Sequence, residues 1–256
     1  MRSPGDWIPL LARIADEADA IALRFFRQAS LRVDIKADAS PVSEADQAIE
    51  AAARRLVVAH HPELGVLGEE EGETGSRDAR LILDPIDGTK NYVRGIPVFA
   101  SLLAIEQGGE VSAGLVSAPA LGQRWHAARG AGAWSGERRL RVSAVREWDR
   151  AQVFHGSLSG SEGREMPAGL TRLIQRAGRS RGFGDFWQHT LVAEGTGEVA
   201  VDPRVAPWDI AALQVIVEEA GGMATTLDGR RSIYGGSLVT SNGVLHQEAL
   251  AVLQQH

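Results

Sequence analysis

The chain has 256 residues, no cysteine, and a formal charge of −6 from 33 acidic and 27 basic residues. That length buries a full core without covalent staples, and the absence of cysteine excludes disulfides, thiolate metal sites and a cysteine nucleophile. The acidic balance argues against a nucleic-acid partner, whose footprint is a basic surface. No apolar run approaches bilayer-spanning length and MRSPGDWIPLLARIADEADAIALRFF lacks a signal-peptide core, so a soluble, unprocessed, cytoplasmic protein with no membrane partner is expected.

Leu11, Ala15, Ala18, Ala22 and Phe25 recur at helical spacing, which predicts an amphipathic scaffold helix over about residues 7–28. After the turn-rich KADASPVSEAD, a second helix is expected over Glu44 to His60 with Ser43 as N-cap, which puts Asp46 in a first helical turn. Short strands around Val66-Leu67 and Leu81 to Leu83 both end in acidic residues, so two acidic strand ends could meet. From Val98 to Val142 strands alternate with Gly-containing turns, as in an antiparallel meander. After Ser143 the texture becomes alternating β and α. Helices are expected near Met166 to Gly178, Phe186 to Glu194 and from Trp208, with strands at EVAVD and GGSLVTSN. The pattern divides into an N-terminal α+β subdomain over 1–145 and a C-terminal α/β subdomain over 146–256.

The acidic residues fall into groups. A charge run on a helix is ordinarily a solvated face, which suffices for Glu17, Glu50, Glu147 and Glu162. The run Glu69-Glu70-Glu71 is different, because consecutive glutamates after an apolar strand repel one another unless something positive lies nearby. In LDPIDGTKNYVRGIP, Leu83 to Pro97, a turn needs only one aspartate, yet there are two. Pro85 sets a bend and Gly88 permits unusual backbone angles, so Asp84 and Asp87 can aim at one point while the Gly88 and Thr89 amides face an anion. Hard divalent cations such as Mg²⁺ take such carboxylates together with phosphate oxygens. Asp209 of PWDIAA lies in a first helical turn, where an acid also simply complements the helix dipole. Trp208 is read as core or substrate platform, and the histidines, including the adjacent His60 and His61, as surface or core residues.

The set GEE (Gly68 to Glu70), DPIDGT (Asp84 to Thr89) and WD (Trp208-Asp209), in that order and over nearly the whole chain, resembles the inositol monophosphatase-like family of metal-dependent phosphomonoesterases. NYVRGIPVFASLLAI, SAPALGQRWHAARG, RGFGDFWQHTLVAEG and VDPRVAPWDIAAL look like its histidinol-phosphate phosphatase branch, which acts in histidine biosynthesis. The resemblance implies a layered αβαβα sugar-phosphatase fold, commonly a homodimer, with two to three Mg²⁺ per active site. It places the first ion on Glu69, Asp84 and the Ile86 carbonyl, the second on Asp84, Asp87 and Asp209, and a third, weaker one near Glu69. It pairs Asp46 with Thr89 to activate the attacking water, sets the Gly88 and Thr89 amides around the phosphate, and gives Glu70 a ligand-orienting role.

Substrate choice is expected in the C-terminal half. Where the family pattern has small residues after a glycine, this chain has Gly184-Asp185-Phe186-Trp187. Asp185 beside an acidic metal centre is costly unless the substrate brings positive charge, and histidinol phosphate brings an ammonium and an imidazole. Asp202 matches the acidic position that binds substrate hydroxyls in relatives, and it could hold the same amine. Asp185 can also cap the following helix, a role compatible with substrate recognition. Arg94 and a loop from Ser157 to Gly160 are weighed as lining the site, with a solvated role the simpler one for Arg94. An inositol-phosphate or sugar-phosphate phosphatase stays open as the rival activity, and a non-catalytic metal-binding protein as the rival class.

Overall fold

The computed structural model describes residues 2–36, 41–158 and 168–255. The first helix, α1 (Ile8–Phe25), is followed by a two-stranded ribbon of β1 (Val33–Ile35) and β2 (Pro41–Ser43), and then by α2 (Glu44–His60). Next come β3 (Gly65–Gly68), β4 (Gly72–Thr74), β5 (Ala79–Asp87), the short α3 (Thr89–Val93), β6 (Ala100–Gln107), β7 (Glu110–Ala118), β8 (Gln123–Ala128), β9 (Gly132–Ser135) and β10 (Arg138–Arg139). These strands form an eight-stranded sheet in the order β10-β9-β8-β7-β6-β5-β3-β4, and β6 to β10 are the antiparallel meander expected over Val98 to Val142, with β5 antiparallel beside β6.

The remaining elements are β11 (Gln152–His155), α4 (Ala168–Arg176), β12 (Arg179–Arg181), α5 (Asp185–Ala193), β13 (Val199–Asp202), α6 (Pro207–Glu219), β14 (Met223–Thr225), β15 (Leu238–Ser241) and α7 (His246–Leu253). Their strands make a five-stranded sheet, β12-β11-β13-β15-β14, parallel on its first side and antiparallel on its second.

Side-chain alternation sets the layers. Leu81 and Leu83 of β5 pack with Leu11, Ile14 and Val57 of α1 and α2, whereas Ile82 between them faces the opposite side with Ile210 and Val217 of α6. In the smaller sheet Ala200 joins the α5/α6 core, while Val199 and Val201 face Leu173 of α4 and Leu250 of α7. The stack is therefore α1/α2, large sheet, α5/α6, small sheet, α4/α7, the layered αβαβα arrangement expected. Gly114 lets α6 lie close on the large sheet: a Cβ there would stand 2.6 Å from Val215 Cγ1 and 3.0 Å from the Ala212 Cα.

Two local readings change. Glu50, read as part of a solvated helix face, is fully buried, bonded to Arg54 and to the backbone amides of Glu70 and Glu71 at 2.8 and 3.0 Å. Its charge is stabilised inside because a guanidinium and two backbone donors meet it. The helix α7 has no counterpart in the elements predicted from sequence. Glu162 lies outside the described residues.

Candidate active site

The two aspartates of DPID sit on a bulge rather than after the strand. Asp84 pairs with Leu102 and Asp87 with Ala100, so Pro85 and Ile86 together oppose Ser101. An extra residue in one strand bends it and re-aims the neighbouring side chains, and proline is tolerated at such a break because it owes the ladder no donor. The Ser101 hydroxyl donates to the Pro85 carbonyl at 2.6 Å and pins the bulge. Gly88 then turns the chain into α3 at φ +83°, and a Cβ there would lie 3.0 Å from the Val98 carbonyl oxygen. Only glycine meets both conditions without strain.

Asp209 comes from the first turn of α6, where its Oδ2 accepts the Ala206 N–H at 2.7 Å. Asp84, Asp87 and Asp209 each offer an oxygen within 4.8 Å of the others. Burial pushes Asp84 well above the ordinary carboxylate range, with the charges of Glu69, Asp87, Asp209 and Asp46 adding. Burial also raises Asp87 strongly, helped by Asp185, Asp209 and Asp202. Asp209 is pushed up to about 7 by burial, against the Ala206 amide bond that favours its charged form.

Asp46 occupies the first turn of α2, where Ser43 is the N-cap as expected. Its Oδ2 accepts the Ser43 N–H at 2.8 Å and the Ser43 hydroxyl at 2.6 Å. Its Oδ1, like Asp84 Oδ1, is buried without a hydrogen-bond partner, and burial holds its carboxyl at about 6. Buried polar atoms are ordinarily paired. An orphaned oxygen within the three-aspartate cluster, on Asp84, and another on Asp46 fit a hard divalent cation, whose preferred donors are oxygens.

Thr89 departs from expectation. Its hydroxyl donates to the Ile86 carbonyl, three residues back, at 2.8 Å, so the Asp46–Thr89 pair implied by the resemblance is not hydrogen-bonded and the Ile86 carbonyl already accepts one bond. A threonine in a first helical turn finds this local acceptor at little cost. Glu69 is outside the set whose oxygens lie within 4.8 Å of one another, although its charge acts on both Asp84 and Asp209. Lys36 Nζ donates to Glu69 Oε1 at 2.6 Å and to Glu70 Oε1 at 2.7 Å, supplying the positive charge that the glutamate run requires. Burial alone would lower the Lys36 ammonium, yet the two glutamates outweigh it and hold it above its ordinary value. Glu70 is pushed up to about 7 by burial, with Lys36 opposing and Glu69 adding.

Asp185 is the first residue of α5, and Gly184 holds the N-cap position, so the capping role is overturned. Asp185 instead adopts φ +51°, which leaves its Oδ2 accepting from Asn91 Nδ2 at 3.0 Å and lying 3.4 Å from where a Gly88 Cβ would be. Burial lifts it to about 6, with Asp202 adding and Lys90 opposing. Asp202, at the end of β13, accepts at Oδ2 from His189 Nε2 at 2.9 Å and Gln188 Nε2 at 2.6 Å. Phe186 is wholly buried and belongs to the core, not to the site wall; Trp187 is partly buried and stacks on Phe183 at 4.8 Å, and Trp208 packs on the same core. Arg94 and Ser157 are exposed, and the end of the Ser157–Gly160 loop lies outside the described residues.

Lys36, Gln188 and His189 were not among the residues singled out from sequence, and Glu50 was read only as part of a solvated face. For Glu50 a signal existed, since Asp46, Glu50 and Arg54 follow at i,i+4 on one face of α2.

The model of the inositol monophosphatase family matches residues 8–256. The chain belongs to that family. A protein named histidinol-phosphatase from Mycobacterium tuberculosis is 46% identical over 97% of this chain and 98% of its own. The protein of the same name from Streptomyces coelicolor is 44% identical over 94% of each. Among solved structures, the extragenic suppressor protein SuhB of Bartonella henselae superposes with a TM-score of 0.89 at 29% identity, covering 97% of this chain and 98% of that one. The Thermotoga maritima IMPase gives 0.87 at 30% identity, over 97% and 96%. This inositol monophosphatase family member is a phosphatase, and its substrates are small phosphate esters. Among the described residues no helix is long and apolar enough to cross a membrane.

Proposed function

We propose that the protein hydrolyses histidinol phosphate to histidinol and inorganic phosphate with Mg²⁺ as its metal, as a cytoplasmic homodimer in histidine biosynthesis. The observation that carries the reading is the continuity of the acidic field: the Asp84/Asp87/Asp209 cluster runs into Asp185, which lies over Gly88, and on to Asp202. A polyol can use a carboxylate at Asp202 for its hydroxyls but not a second one at Asp185, whereas an amine and a protonatable imidazole offset both. Relatives named histidinol-phosphatase at 46, 44 and 37% identity support the same substrate.

In this reading Asp84, Asp87 and Asp209 would hold one cation, and Asp84 with Glu69 and the Ile86 carbonyl, which has a second lone pair beside its Thr89 bond, would hold another, the ion taking the place of Lys36 at Glu69. A third, weaker ion would lie near Glu69. Bound Mg²⁺ supplies neutralisation of phosphoryl oxygens and acidification of bound water. Asp46 contributes Oδ1 as acceptor for the water proton, with the Thr89 hydroxyl orienting that water, while the Gly88 and Thr89 amides face the phosphate. Glu70 orients Glu69. Asp185 and Asp202 receive the substrate's nitrogens. The N-terminal 1–145 carries the metal site, and 146–256 contributes Asp209 and specificity.

A second reading, inositol-phosphate or sugar-phosphate hydrolysis, is favoured by the Thermotoga maritima protein named fructose-1,6-bisphosphatase/inositol-1-monophosphatase, 36% identical over 73% of this chain. Phosphate release from histidinol phosphate, inositol 1-phosphate and fructose 1,6-bisphosphate, each with Mg²⁺ and with EDTA, separates the two. Equal or greater kcat/KM on either of the last two overturns the first reading, and EDTA-insensitive release overturns the metal.

A further inference from the structure

Resting on the histidinol-phosphate reading, we infer that His189, with Gln188 and Thr240, is a positioning device that sets the Asp202 carboxylate for a cationic group of the substrate. His189 and Gln188 are fully buried neighbours on α5, and both reach the same Asp202 oxygen: Nε2 of His189 at 2.9 Å and Nε2 of Gln188 at 2.6 Å from Oδ2. On its other side the imidazole is held by Thr240, also fully buried, on the adjacent strand β15, with Nδ1 and Oγ1 2.7 Å apart.

The proton assignment follows from the partners. A carboxylate only accepts, so Nε2 carries the proton toward Asp202, and in the neutral ring Nδ1 accepts from the Thr240 hydroxyl. Every hydrogen then points toward Asp202, along a line from β15 through α5 to the end of β13. Two donors on one oxygen fix the carboxylate plane, and rigid elements on both sides keep it there.

That plane matters because of what the other oxygen faces. Asp202 Oδ1 is turned toward Gly156 and would lie 3.3 Å from a Cβ at that position, and 16% of the Asp202 side chain stays accessible. Asp202 is also the largest charge acting on Asp185 and one of those acting on Asp87, so its carboxylate faces the same acidic space as the metal cluster. A carboxylate with one oxygen saturated by buried donors and the other turned to that space is prepared for a charge-assisted bond to an ammonium or imidazolium. Without His189 only Gln188 would hold Oδ2, and a single donor lets the carboxylate plane turn about that bond. His189 touches no reacting atom, so its role is positional.

The test compares kcat/KM for histidinol phosphate with that for glycerol 2-phosphate, a phosphomonoester without nitrogen, in the wild type, H189L, H189Q, Q188L and T240V. The selectivity ratio is expected to fall by about tenfold in H189L and to recover in H189Q, whose amide N–H again reaches Asp202. A ratio that stays at the wild-type value, with both activities falling together, overturns the positioning role and identifies His189 as packing. Should H189L lose its cooperative melt, the same ratio in Q188L and T240V decides. A wild type that does not turn over histidinol phosphate removes the functional reading itself and this inference with it, whereas a selective wild type with unaltered variants removes only the inference.

Discussion

Asp87 Oδ2 accepts the backbone N–H of Phe186 at 2.5 Å, a bond across 99 residues that ties the β5 bulge to the first turn of α5. One carboxylate therefore belongs to the Asp84/Asp87/Asp209 cluster and also joins the two sheets' territories. Its two tasks are separable by chemistry. An asparagine at this position keeps an acceptor oxygen for Phe186 but loses the charge.

Asp87→Asn is accordingly expected to fold normally and to lose at least about 100-fold in Mg²⁺-dependent phosphate release. Its melting temperature without metal should equal or exceed that of the wild type, because one of several buried, mutually repelling carboxylates is gone. A metal-free melt well below the wild type would show that the charge itself, rather than the acceptor, holds the α5 junction.

The same repulsion fixes the pH dependence. Asp46 and Asp185 at about 6, and Asp209 and Glu70 at about 7, hold their protons more tightly in the folded state than in the unfolded chain. Their contribution to stability is full below the ordinary carboxylate range and is lost as pH rises through those values. The metal-free protein should therefore melt at progressively lower temperature from about pH 5 to about pH 7, and Mg²⁺ should restore more stability at the upper end. A metal-free melt that is flat or rising across this interval contradicts the reading.

Much of this arrangement is legible in the sequence. The Ser43 cap, the period-two alternation of Leu81 to Leu83 and the DPIDGT spacing are local patterns, and local rules read them. What escaped were partners brought together by folding: Lys36 reaching Glu69 and Glu70 across 33 and 34 residues, and Thr240 meeting His189 across 51. Glu50 escaped differently, since a glutamate between helix turns reads as solvated until the amides of Glu70 and Glu71 fold onto it. Asp185 shows the same limit. Position before a helix suggests a cap, but the φ +51° set after Gly184 turns its carboxylate to Asn91 instead.

Glu50 offers a structural test at a distance from the cluster. It answers Arg54 and two backbone amides in a fully buried setting, and a Cβ on Gly68 would come within 2.2 Å of its Oε1. Glu50→Ala leaves the Glu70 and Glu71 amides unpaired, while Arg54 keeps Thr74, Gly72 and Glu71 as partners, and should cost about 2–3 kcal/mol in denaturant unfolding. It should also weaken Mg²⁺ activation, because the amides it holds are those of the glutamate run. A cost below about 1 kcal/mol would mean that water replaces the carboxylate.

Gly114 tests how Asp209 is delivered. Gly114→Val places a branched side chain against Val215 and Ala212, where even a Cβ is too close, so α6 must lift from the large sheet. Overpacking of this kind costs about 1–3 kcal/mol, and here it also moves the helix that carries Asp209. Activity should fall by more than stability alone explains, with a raised Mg²⁺ requirement. An unchanged Mg²⁺ titration in the folded variant would show that Asp209 is positioned by its own first turn rather than by the seating of α6.

Asp185 carries the substrate question. Asparagine tolerates a left-handed backbone at least as well as aspartate, whereas alanine does not, so Asp185→Asn removes the charge without adding strain. If the carboxylate receives a substrate nitrogen, KM for histidinol phosphate should rise about tenfold or more in D185N, while KM for glycerol 2-phosphate stays level or falls as local negative charge is relieved. Asp185→Ala should lose activity on both esters, since the strain then falls on the backbone beside Phe186 and its bond to Asp87. A D185N enzyme with wild-type KM for histidinol phosphate would leave Asp185 as a partner of Asn91 alone, and substrate recognition would have to rest on Asp202.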